Sequence, residues 1–134
     1  MYTLKFQLAG LPKIISNGGH GNWRVKAARV RAMKHSVLLA VGIKKPKTPL
    51  TKARIVFTRH SSLEPDPDNL IISFKSCMDG LKLAGVIIDD RRINIGTSQY
   101  KWIYAPKNKG FITVEVYEEI DEKNPAHKNE ICNR

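Results

Sequence analysis

Residues 3–7 (TLKFQ) alternate apolar and polar with period two, the pattern of a half-buried strand. A glycine-rich loop carrying His20 is expected at residues 16–22. Residues 23–41 then take up helical spacing. At 100° per residue Trp23, Val30, Met33, Val37 and Val41 share one face, with Arg24, Arg31 and His35 opposite, so the helix is expected to bury an apolar stripe and turn cations outward. Two prolines make residues 44–51 a loop, and the β-branched and aromatic run 54–60 (RIVFTRH) reads as a strand. The segment 64–68 (EPDPD) interrupts regular structure. A second helix follows over residues 69–83, burying Leu70, Phe74, Cys77, Met78 and Leu81 and ending at Gly85. The short apolar run 86–88 leads into Asp89 and Asp90. Residues 97–104 and 111–117 read as two strands joined by APKNKG, which predicts a hairpin. From about residue 121 the chain is polar and unpatterned and is expected to be a disordered tail.

These elements predict one small α/β (α+β) domain over residues 1–120, a mixed sheet with two main helices, followed by the tail 121–134. A chain of 134 residues suffices for one hydrophobic core without cross-links. The two cysteines, Cys77 and Cys132, form no spacing for disulfides or zinc, which fits a reducing, cytoplasmic setting. No run approaches the ~20 apolar residues of a membrane span, and the first residues lack the basic start and apolar run of a secretion signal, so no membrane is expected.

Charge changes the picture more than size does. The formal net charge is +11, and every acidic residue lies at Glu64 or later, whereas residues 1–63 contain thirteen lysines and arginines. Such a surface favours a polyanion, because neutralising phosphates releases counterions. A basic protein with no such partner is the plainer alternative.

Acids gather in one place, residues 65–93 (PDPDNLIISFKSCMDGLKLAGVIIDDRRI). Pro67 stiffens the link between Asp66 and Asp68, and in an extended segment residues i and i+2 face the same side, so both carboxylates can address one point. Hard oxygen ligands of this kind suit Mg²⁺, which keeps several waters and is held by one or two carboxylates plus substrate phosphate. A metal would also supply the counter-charge that clustered carboxylates need. On phosphodiesters it polarises the phosphoryl oxygen and lowers the pKa of a bound water. Along the second helix Asp68, Lys75 and Asp79 fall within about 40° of one another, a polar stripe that brings an ammonium to the carboxylates. Such a lysine could neutralise charge developing on the phosphoryl group.

The order D-x-D-N-L, a helix with F-K and D-G-L, then A-G-V-I-x-D-D-x-x-I resembles the core motif of the RusA-type Holliday junction resolvases. The motif spans about 29 residues, and the succession strand, basic helix, strand, motif, C-terminal hairpin extends the likeness over most of the chain. The resemblance implies an α/β homodimer that cleaves four-way DNA junctions with Mg²⁺, Mn²⁺ being a substitute, and no small-molecule cofactor. It implies metal-binding catalytic roles for Asp66, Asp68 and Asp90, with Asp89 as a further ligand candidate, and a catalytic lysine at Lys75, four residues before Asp79. Many members carry that lysine four residues after the second aspartate of D-x-D. Here Ile72 stands there and Lys75 comes seven residues on, one turn or about 4.5 Å further along the axis. Arg91 and Arg92 are candidate phosphate clamps, and Arg24 and Arg31 candidate DNA contacts. A two-fold dimer suits a junction that is itself roughly two-fold symmetric.

Plainer roles stay open for the same residues. Asp68 can cap the second helix, Asp79 can simply pair with Lys75, and His20 and His60 can be surface or phosphate-contacting groups rather than general bases. Tyr100, Trp102 and Tyr104 can be core side chains or a base-stacking strand. The rival function is a basic nucleic-acid-binding module without chemistry. A phosphatase or nucleotidase with an aspartate nucleophile fits less well, because Glu64 and Pro65 intervene where an apolar strand should run into the first aspartate.

Overall fold

A computed structural model of the chain describes residues 1–11, 23–96 and 98–120. The glycine-rich loop with His20, Thr97, Cys132 and the tail 121–134 lie outside the described residues. In chain order the elements are β1 (Thr3–Ala9), α1 (Trp23–Val41), a single 3₁₀ turn (Gly42–Lys44), β2 (Ala53–Ser61), α2 (Pro67–Ser73), α3 (Lys75–Leu83), the short α4 (Arg92–Ile95), β3 (Gln99–Tyr104) and β4 (Phe111–Glu118). They make a small mixed α/β domain. Among the described residues, no helix is long and apolar enough to cross a membrane.

The four strands form one mixed sheet in the order β1-β4-β2-β3. β4 lies between β1 and β2 and runs antiparallel to both, with Phe6 opposite Val114 and Phe57 opposite Val114 on the other side. β3 runs parallel to β2, with Tyr100 beside Phe57. The hairpin expected from residues 97–117 is therefore not formed, since β3 and β4 sit on opposite sides of β2. The physical reason lies in their inward faces. Ile112, Val114 and Val116 of β4 are fully buried, as a central strand requires, whereas β3 exposes Gln99, Lys101, Ile103 and Tyr104, which suits an edge. A parallel β2–β3 pair also needs a long crossover, and α2, α3 and α4 supply it.

The helices cover the sheet face that carries Leu4, Phe6, Ile55, Phe57, Ile112, Val114 and Val116. Against them pack Val37 and Val41 of α1, Leu70 and Phe74, and Cys77, Met78 and Leu81 of α3, which is the buried stripe expected for the second helix. That helix is not continuous, however. It breaks at Phe74, whose backbone (φ −99°, ψ 3°) leaves the helical region while Ser73 Oγ donates to the Leu70 carbonyl at 2.7 Å. The Phe74 ring gains a stacked contact with Phe57 at 4.8 Å between centroids, and Phe57 stacks in turn on Tyr100 at 5.3 Å. Packing thus outweighs helix continuity.

α3 ends where Gly85 was expected to end it. Gly85 takes a left-handed conformation (φ +79°), its N–H donates to Lys82 O at 3.1 Å and the Val86 N–H to Leu81 O at 3.0 Å, a Schellman closure. The chain then meets Leu50. The Leu50 N–H donates to Val86 O at 2.9 Å and the Ile88 N–H to Leu50 O at 3.0 Å, so the apolar run is held just before Asp89.

α1 departs from its expected face in one respect. Val37 and Val41 are fully buried and Met33 is packed on the core, but Val30 and Trp23 are exposed. α1 is closely apposed to α3 at Gly80, where an added Cβ would stand 2.8 Å from Val37 Cβ. Among the described residues, the buried positions of α1, Val37 and Val41, lie in its C-terminal half.

Candidate functional site

Asp66 precedes α2 in extended conformation (φ −58°, ψ 149°) and occupies the N-cap position, with Pro67 in the first turn. Its backbone carbonyl accepts the Leu70 N–H at 2.9 Å, but its carboxylate makes no cap bond. Asp68 lies one residue inside the helix, so the capping role considered for it falls to Asp66, and there only through the backbone. Both carboxylates are exposed.

Asp90 is placed by the Leu50 bridge and by its own turn, in which its N–H donates to Asp89 Oδ1 at 2.8 Å. Its two oxygens have separate partners. Lys75 Nζ lies 2.9 Å from Oδ2 and Lys82 Nζ lies 3.3 Å from Oδ1. Lys75 also bonds Asp79 Oδ1 at 3.0 Å, Lys82 approaches Asp89 Oδ1 at 3.5 Å, and Arg91 Nε reaches Asp89 Oδ2 at 3.0 Å. Lys75, Asp79 and Lys82 sit at i, i+4 and i+7 on α3, which is why one helix face can meet the Asp89–Asp90 turn. The hydrogen bond from Lys75 holds the Asp90 carboxyl well below the ordinary carboxylate range, against the upward push of its burial. The same contacts, with Asp90 first and Asp79 next, raise the Lys75 ammonium above its usual value, and Asp90 does likewise for Lys82.

The structure therefore joins Asp90, Asp89, Lys75 and Asp79 and adds Lys82, which the sequence reading did not single out. The signal was present, since Lys82 follows Lys75 by seven residues and returns to within 20° of it on the wheel. Asp66 and Asp68 take no part in this network. Among the described residues, no three histidine, cysteine, aspartate or glutamate side chains are grouped so as to hold a metal. The donor chemistry suits a hard cation, and one that bound Asp90 would have to displace the ammonium groups that meet both of its oxygens.

The remaining candidates are dispersed. Arg91 is engaged with Asp89, and Arg92 opens α4 with its side chain exposed. Arg24, Arg31 and His35 are exposed on α1. His60 lies on the sheet face away from the helices, stacked on Phe111 at 4.0 Å with Nε2 3.1 Å from Thr113 Oγ1. Tyr100 and Trp102 pack on the core, and Trp102 Nε1 donates to Ser61 Oγ at 2.9 Å; Tyr104 is exposed. Comparison of the sequence with protein-family models and with curated proteins finds no match.

Proposed function

We propose that the chain is a structure-selective endodeoxyribonuclease that resolves four-way DNA junctions by divalent-cation-dependent phosphodiester hydrolysis, as a RusA-like homodimer in recombination and repair. Mg²⁺, or Mn²⁺ in its place, is the cation of this reading, and Asp66, Asp68 and Asp90, with Asp89 beside them, are its oxygen donors. The observation that carries the reading is the approach of Lys75 to Asp90 at 2.9 Å, which unites two parts of the acidic motif separated by fifteen residues. A nuclease needs a cation beside its carboxylates to meet the scissile phosphate, and α3 presents one. The basic, acid-free first 63 residues supply affinity for the phosphate backbone. Arg24, Arg31, Arg91 and Arg92 are the side chains assigned to it. Incubation of the purified protein with a labelled junction and Mg²⁺ tests the reading: symmetric nicks are expected, and Asp68→Asn should bind junctions without cutting them.

A second reading is favoured by one specific observation. The lysine and arginine partners of Asp89 and Asp90 already neutralise that turn, as they would in a basic DNA-binding module with no chemistry. That reading predicts salt-sensitive binding and intact DNA at every cation concentration. The phosphatase reading loses ground, because β2 ends at Ser61 and Asp66 stands at a helix start rather than at a strand end.

A further inference from the structure

Trp23 is the first residue of α1 and is 71% exposed. An indole carries a large apolar area, and leaving it in water gains nothing for the fold. The core is complete without it, since Val37 and Val41 already close α1 onto the sheet. The guanidinium of Arg24 lies 5.4 Å from the centroid of the indole, a cation–π contact that covers at most one face of the ring.

What surrounds Trp23 along the helix is cationic. Arg24, Lys26, Arg29, Arg31 and Lys34 follow within eleven residues, and α1 contains no acid. Arg24, Ala28, Arg31 and His35 share one exposed stripe, with Arg24 and Arg31 about 10 Å apart at 1.5 Å per residue. Alanine at position 28 leaves the backbone of that stripe open to close approach. A lipid surface would want the exposed apolar residues collected on one side. Here Val25 and Leu39 fall on one flank of the cationic stripe and Trp23 and Val30 on the other. A flat aromatic ring backed by a guanidinium and adjoining phosphate-binding cations is the chemistry that receives a nucleobase on a single strand.

We infer that Trp23 is a base-stacking residue, taking an unpaired nucleobase on its open face while Arg24 and Arg31 hold phosphates of the same strand. The inference rests on the DNA-binding part of the function proposed above and is independent of cleavage. It extends that reading from duplex phosphates to unpaired bases.

The test uses the full chain. With Trp102→Phe, Trp23 becomes the sole fluorophore of its kind, since the chain has two tryptophans. Titration with an oligo-dT strand should quench its emission, and a blunt duplex of equal length should quench it far less. In the otherwise natural sequence Trp23→Ala should weaken oligo-dT binding by about 5- to 150-fold, the range of one lost base stack. Duplex affinity should change by less than twofold, and Trp23→Phe should restore most of the loss. Equal losses on both DNAs, no loss on either, or a change in oligomer mass by light scattering without a change in oligo-dT affinity would each overturn the inference. Failure of the unaltered protein to bind any DNA would overturn it together with the proposed function. Stacking without junction cleavage would leave it standing and remove the nuclease.

Discussion

Lys75 and Lys82, two turns apart on α3, grip the two oxygens of the Asp90 carboxylate from the same helix face, at 2.9 Å and 3.3 Å. The pairing ties the crossover helix to the turn after Ile88 and sets the charge of the candidate site. Because any cation that binds Asp90 must compete with two ammonium groups, removing one should help it. Lys82→Met is expected to tighten Mn²⁺ binding about 15- to 30-fold, the scale of a unit charge against a divalent one at 4–5 Å in water-like surroundings. Paramagnetic resonance of free Mn²⁺ reads this directly. Lys82→Arg, which keeps the charge, should leave affinity near that of the unaltered protein.

The same contacts make a prediction about acid. The folded-state pKa of Asp90 is depressed by Lys75, so its contribution to stability is present above the unfolded value of about 4 and drains away as the pH falls through the lower folded value. Thermal unfolding of the natural protein should therefore lose stability below pH 4 by a component that Asp90→Asn lacks. At the other end the raised Lys75 pKa contributes below about 10.4 and is lost as the pH climbs through the folded value. The Lys75 side chain is largely solvent-facing, so its contribution is expected to be small, within the range of about 0–1 kcal/mol for surface pairs.

Gly80 lies where α3 comes closest to α1. A Cβ there would approach Val37 Cβ to 2.8 Å, nearer than packed carbons come. Overpacking of this kind costs about 1–3 kcal/mol, and the better helix propensity of alanine returns about 1 kcal/mol. Gly80→Ala is accordingly expected to lower stability by up to about 2 kcal/mol in urea unfolding. Val37→Ala keeps the Cβ at 2.8 Å, so Gly80→Ala should remain destabilising in a Val37→Ala background.

Burial pushes the Cys77 thiol up to about 12. In a Cys132→Ser background, a disulfide reagent at pH 8 should leave the native protein unmodified and react fully after denaturation. Reaction of the native form at the rate of an unfolded control would contradict the packing of α3 against the sheet.

Much of this arrangement was legible in the sequence, for identifiable reasons. The apolar positions Leu70, Phe74, Cys77, Met78 and Leu81 return at helical spacing, and Gly85 can close a helix in a left-handed conformation that other residues resist, so the inner face of the crossover and its end could both be read. The break at Phe74 could not, because the period continues straight through it and the cause is a stacking contact with Phe57 from another element. Alternation marks Gln99–Tyr104 and Phe111–Glu118 as strands without naming their neighbours, which are chosen by the fully buried face of β4 and the polar edge of β3. Periodicity likewise put Trp23 with Val37 and Val41, but a helix stripe does not reveal how far its burial extends, and Val37 and Val41 are buried while Trp23 and Val30 are exposed. At the site, motif order linked Asp79 and Asp90 to Lys75. Lys82 lies one turn beyond Asp79, where the polar stripe read from Asp68 through Lys75 stopped.

The most direct test of the central claim is single-turnover cleavage of a labelled four-way junction by the purified protein, with Mg²⁺, with Mn²⁺ and with a chelator. The account predicts paired nicks near the branch with either cation, none with the chelator, and a loss of at least a hundredfold in Asp66→Asn, Asp68→Asn and Asp90→Asn at unchanged junction affinity. Junctions left whole under every condition, or cut as fast by Asp68→Asn as by the natural protein, would contradict it.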